Sequence, residues 1–113
     1  MRVGTPPVLQ MTALECALDI WDMADMAEVR AKSMELTDLF VDLVECKCPQ
    51  LTLASPRDAA RRGSQVSFRF EQGYAAMQAL IARGVIGDFR MPDVMRFGFT
   101  PLYIDVTDVR QAV

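Results

Sequence analysis

Arg96 stands in a stretch that is otherwise apolar, Val94-Met95-Arg96-Phe97-Gly98-Phe99. Such a stretch reads as a strand. A charge within it either projects from a solvated face or meets an anion, because an unpaired buried charge is costly. A guanidinium on a rigid strand suits a carboxylate, which it can hold through two parallel hydrogen bonds. Gly98, two residues on, projects to the same face and leaves space beside the guanidinium. A solvated or internally paired arginine is the ordinary outcome of this pattern. Thr5 is the second candidate. Gly4-Thr5-Pro6-Pro7 reads as a helix start, with Thr5 as N-cap and Pro6 at the first helical position. A helix N-terminus suits an anion, and the two prolines remove two N–H donors, so the Thr5 hydroxyl would carry more of the contact. The ordinary outcome there is a plain N-cap.

The remaining inventory is thin. The sequence holds no His, which removes a Ser-His-Asp triad, a Cys-His dyad and any imidazole-ligated metal site. No metal is expected. Lys32 and Lys47 are the only lysines, one among charged residues on a helix and the other between two cysteines. Neither has the desolvating surroundings that activate an amine. Asp22, Asp25 and Glu28 lie near a helix start, where carboxylates cap and complement the dipole. Cys46-Lys47-Cys48 is too tight for an ordinary disulfide and short of a structural zinc's four ligands. With Cys16 these read as reduced thiols of a cytoplasmic protein. Gly84-Val85-Ile86-Gly87 lacks the context and third glycine of a phosphate loop.

Charge and length bound the rest. Fifteen acidic against twelve basic residues give a net charge of -3, so no basic stripe for nucleic acid is implied. No stretch approaches the roughly 18 apolar residues of a membrane span, and the N-terminus lacks the pattern of a signal peptide. The 113 residues fit one domain, spanning 1–113. At 51% hydrophobic, so short a chain is expected to have a partner covering part of it.

Two helices fill residues 1–48. Val8, Met11, Leu14, Leu18 and Trp21 recur at helical spacing. Asp25 and Glu28 are spaced as a capping box for a second helix, with Val29, Leu36, Phe40 and Leu43 as its stripe and Pro49 as its stop. Residues 49–113 change period. Strands are expected at 51–53, at 65–70 with Val66, Phe68 and Phe70 on one face, at 85–89 and at 94–99. A helix over 74–83, striped by Tyr74, Met77, Leu80 and Ile81, ends at Gly84, placed as a C′ glycine. Met91-Pro92-Asp93 is a turn, and 105–113 is helical. The order α-α-β-β-α-β-β-α predicts an α+β domain with helices on one face of a mostly antiparallel sheet.

Four blocks carry a resemblance. Arg2-Val3-Gly4-Thr5-Pro6-Pro7-Val8-Leu9, Arg62-Gly63-Ser64-Gln65-Val66-Ser67-Phe68, Arg83-Gly84-Val85-Ile86-Gly87-Asp88-Phe89-Arg90 and Arg96-Phe97-Gly98-Phe99-Thr100-Pro101-Leu102-Tyr103 resemble, in the same order, segments of the C-terminal part of the kynureninase family. The resemblance implies the small domain of a fold-type I, aspartate aminotransferase-like enzyme that uses pyridoxal 5'-phosphate. The family hydrolyses L-kynurenine, and 3-hydroxykynurenine, to anthranilate or 3-hydroxyanthranilate and L-alanine in tryptophan catabolism. It implies that Arg96 binds the substrate α-carboxylate and that Thr5 touches the cofactor, in the homodimer from the neighbouring subunit. Pro101, Leu102 and Tyr103 are expected to shape the site. The family's cofactor-bearing Lys, its Asp and its His fall upstream of the matching blocks. The chain is therefore expected to be the last quarter or so of the enzyme, with the N-terminal large domain as partner and no activity alone. A stand-alone interaction module, or the small domain of another fold-type I enzyme, are the alternatives.

Overall fold

A computed structural model describes residue 4 and residues 6–113 of the chain. Helix α1, Val8–Trp21, is followed by α2, Met26–Lys47, then strand β1, Thr52–Leu53, and a single 3-10 turn, Ala59–Arg61. Strand β2, Gln65–Arg69, leads to α3, Gly73–Ile81, then β3, Asp88–Arg90, β4, Val94–Gly98, and α4, Val106–Ala112. The order of helices and strands is the one the sequence predicts.

The core begins with α2. Asp25 starts it, its carboxylate accepting from the N–H groups of Ala27 at 2.6 Å and Glu28 at 3.4 Å, two of the donors a helix start leaves unpaired. Ser33, Leu36, Thr37, Phe40, Val41 and Val44 are buried, the three- and four-residue spacing of one helix face. The true stripe thus includes Leu36 and Phe40 but runs through Val41 and Val44 where Leu43, half-buried, was expected. Thr37 is accommodated because its hydroxyl donates to the Ser33 carbonyl at 2.8 Å.

The sheet is wholly antiparallel, in the order β1-β2-β4-β3. Val66 and Phe68 on β2 pair with Phe97 and Met95 on β4, and Phe89 on β3 pairs with Met95. Directly opposed residues share a face, so these five form the side that meets the helices. The Phe40 ring lies 5.0 Å from that of Phe97, 5.1 Å from Phe99 and 6.0 Å from Phe68, joining α2 to the sheet. Met77 of α3 and Val109 of α4 complete the buried cluster. On the other face, the same pairing aligns Gln65, Ser67, Arg69, Asp88, Arg90, Val94, Arg96 and Gly98. No described helix is long and apolar enough to cross a membrane.

Two boundaries differ most from expectation. Helix α1 starts at Val8, with Pro7 as an extended N-cap at φ −71°, ψ 106° and no side-chain cap. Pro6 cannot take the first helical position because it precedes a proline, which pushes it out of the helical region. The N-cap of the helix is Pro7; Thr5, where the cap was expected, lies outside the described residues. Strand β3 covers only residues 88–90, because the chain leaves α3 through Gly84 at φ +90° and pairing with β4 begins at Asp88. Gly84 thus occupies the left-handed position expected of it. Helix α4 carries a full capping box: Asp105 accepts from the N–H groups of Thr107 and Asp108, and Asp108 accepts from that of Asp105.

None of α1 is buried. Its expected stripe forms, but Val8 is 72% exposed and Met11, Leu14 and Leu18 are about half exposed. Nothing among the described residues covers this face.

Candidate functional site

Arg96 sits in the middle of β4, on the face turned away from the helices, with Ser67 of β2 on one side and Asp88 of β3 on the other. Its Nη2 donates to Oδ2 of Asp88. The same oxygen is approached by Arg90 Nη2 at 3.2 Å. Asp88 and Arg90 are two residues apart on β3 and so point to the same side. One carboxylate is therefore shared by two guanidinium groups.

The sequence pattern left Arg96 either internally paired or free to hold an anion. The structure supplies the internal partner and leaves part of the guanidinium uncommitted. Nη1 makes no hydrogen bond among the described residues, and Nε is buried without a partner. The side chain is 30% exposed, so the guanidinium is partly reachable. A Cβ built on Gly98 would meet nothing within 4 Å, which gives the open space expected beside Arg96. The Asp88 carboxyl is held below the usual carboxylate range, first by the hydrogen bond from Arg96, then against desolvation by the Arg90 and Arg96 charges. Two cations and one anion leave this part of the sheet with a net positive charge suited to a carboxylate.

The other motif residues fall into supporting roles. Arg62 is buried, its side chain only 2% exposed. It donates to the carbonyls of Pro56 at 2.8 Å and Arg57 at 2.9 Å, to the Thr37 hydroxyl at 3.0 Å and to Asp38. It thereby ties the 56–61 loop to α2. Ser64 of the same motif shares a 2.7 Å hydrogen bond with Ser33. Lys32 donates to the carbonyl of Pro101 at 2.6 Å, which fixes the buried proline that follows the Arg96 strand. Leu102 and Tyr103 are exposed, Tyr103 by 76%. A hollow of about 410 Å³ between β4 and α4, lined by Phe40, Phe97, Phe99 and Val109, lies on the helix side of the sheet and does not include Arg96.

Sequence reasoning gave no role to Asp88 or Arg62, although both lie inside the motif blocks. A signal for Asp88 existed: strands joined by the turn at 91–93 bring Arg90 opposite Val94 and so Asp88 opposite Arg96. Thr5, the other candidate, lies outside the described residues.

Residues 29–113 match the family described as Kynureninase C-terminal domain. The chain belongs to that family. It is also 55% identical over 112 residues to the kynureninase of Pseudomonas fluorescens, covering 97% of this chain and 27% of that one. With the kynureninases of Burkholderia mallei (strain SAVP1) and Burkholderia pseudomallei (strain K96243) it is 54% identical over 112 residues, at the same coverage. The chain thus spans 27% of the length of these curated relatives. The kynureninase C-terminal domain match takes in Arg62, Asp88 and Arg96. The likeness to the full-length kynureninases extends over α1 as well, since it covers 97% of the chain.

The described residues do not by themselves make a cradle for pyridoxal 5'-phosphate. Lys32 is engaged with Pro101, and Lys47 closes α2 beside its C-cap.

Proposed function

We propose that this domain completes the active site of a kynureninase that hydrolyses L-kynurenine, or 3-hydroxykynurenine, to the corresponding anthranilate and L-alanine. Arg96 holds the substrate's α-carboxylate there. The observation that carries this reading is the state of Arg96: fixed on a central strand, tied to Asp88 through one nitrogen, with the rest of its guanidinium unpaired and its side chain 30% exposed. An α-amino acid substrate presents the planar anion that such a guanidinium recognises.

Pyridoxal 5'-phosphate, carried by the preceding part of the enzyme, would act as the electron sink for the reaction. The chain's own share is to bind and orient. Arg96 fixes one end of the substrate, and Thr5 contributes a hydroxyl to the cofactor of the neighbouring subunit in a homodimer. The uncovered stripe of α1 supports a partner, which we take to be the large domain or the second subunit. We take the setting to be cytoplasmic, in line with three cysteines that are free in the structure.

The test is kinetic. In the holoenzyme carrying this chain, Arg96→Ala is expected to raise KM for kynurenine roughly 100-fold, the loss of a charge-assisted pair of hydrogen bonds. An unchanged KM and kcat/KM would remove Arg96 from this role. The 113-residue chain alone, given cofactor and kynurenine, is expected to show no turnover.

A further inference from the structure

We propose that Asp88 is the positioning residue for Arg96: from the neighbouring strand it holds the guanidinium by one nitrogen, leaving Nη1 free for the substrate carboxylate. This deepens the reading above and rests on Arg96 taking that carboxylate.

Arginine has a long, rotamer-rich side chain. On an open sheet face it would sample many directions, and a ligand arriving there would have to order it. Asp88 removes that freedom beforehand. It is the direct cross-strand partner of Arg96 on β3, so the two side chains leave the sheet side by side on one face. The contact uses Nη2 alone, and a carboxylate taken end-on would use Nη1, which makes no hydrogen bond among the described residues, together with the second hydrogen of Nη2. Asp88 therefore steers Arg96 without occupying it.

Arg90 makes the arrangement stable. It reaches the same Oδ2 at 3.2 Å, so the Asp88 carboxylate is held by two cations. With Arg90 present, a cationic surplus remains when Asp88 pairs with Arg96, so an incoming anion is still attracted. Two residues along β4, the bare position at Gly98 leaves room for it.

The experiment uses the holoenzyme that carries this chain. Asp88→Asn keeps the side chain's shape and removes its charge, and Asp88→Ser is the second variant should the first fold poorly. Each is expected to raise KM for kynurenine about 3- to 10-fold, the range set by ordering one long side chain, with the smaller share of the change in kcat. A competitive inhibitor bearing the α-carboxylate should weaken by the same factor, and its decarboxylated counterpart should bind as before. In an Arg96→Ala background, Asp88→Asn should have no further effect.

Three results would overturn the proposal: a KM that stays level or falls, equal weakening of both inhibitors, or full additivity with Arg96→Ala. The two readings also separate. If Arg96→Ala leaves KM unchanged, the role of Arg96 fails; if Arg96→Ala raises KM and neither Asp88 variant does, only the role of Asp88 fails.

Discussion

Gly87 lies against the backbone of Arg96: a Cβ at residue 87 would stand 2.9 Å from the Arg96 carbonyl oxygen and 2.7 Å from Cε of Met77. The methionine end can swing aside, but the carbonyl belongs to the strand that bears Arg96. The glycine is needed here for space, since its φ is not in the left-handed region. Gly87→Ala is expected to destabilise the domain by about 1–3 kcal/mol, the usual cost of overpacking. It should also raise KM, because the residue it displaces is Arg96. Chemical denaturation and steady-state kinetics on the same protein check both parts.

Arg62 carries a second prediction. Its guanidinium satisfies two carbonyls of the 56–61 loop together with Thr37 and Asp38 of α2. Arg62→Ala leaves those acceptors without their donor and opens a hole beside α2. The expected loss is about 3 kcal/mol, below the most severe cases because Asp38 is half exposed and water can replace its partner. Arg62→Lys should recover little of this, since one ammonium cannot reach acceptors spread around a planar fork. The midpoint of urea unfolding measures both.

Acid should weaken the fold through the carboxylates whose titration is shifted down. Arg96 and Arg90 face Asp88, while the backbone N–H groups of Asp108 and Thr107, with Lys32 further off, favour ionised Asp105. A carboxyl whose folded pKa lies below its unfolded value contributes stability above the unfolded value, and that contribution fades as pH falls through the folded one. The window opens near the ordinary value of 3.8 and extends below it. Tm should therefore decline as pH falls below about 4, and the decline should be shallower in Asp88→Asn and Asp105→Asn, each less stable than the parent at pH 7. An unaltered acid slope in both variants would contradict this assignment.

How far the sequence carries depends on whether a feature is local. Helix α2 is legible in its cap at Asp25 and in Leu36 and Phe40 of its buried face, whereas Ser33, Thr37, Val41 and Val44 join that face outside the expected stripe. The exit of α3 is legible too, where Gly84 takes a conformation other residues avoid. The start of α1 is less legible, because Thr5 and Pro6 each look like a helix beginning until Pro7 restricts its neighbour. Arg96 could be singled out by its apolar surroundings, but its tie to Asp88 depends on the register set across a turn. The burial of Arg62 depends on α2 packing beside a loop some 25 residues away in sequence.

Helix α1 supports the last prediction. Met11, Leu14 and Leu18 are 52%, 52% and 50% exposed, so their apolar character contributes little to the domain's own stability. Changing Leu14 and Leu18 together to Glu should alter the unfolding free energy of the 113-residue chain by no more than about 0.5 kcal/mol per site, as at other exposed positions. The same change should reduce self-association of the isolated chain, read as a smaller sedimentation coefficient at high concentration. In the holoenzyme, where α1 is taken to be covered, the two charges would be forced against an apolar partner, and the expected result is a lower Tm and a loss of dimer. If the double variant destabilised the isolated chain and left the holoenzyme untouched, the stripe would belong to the domain's own packing and the partner assigned to it would be wrong.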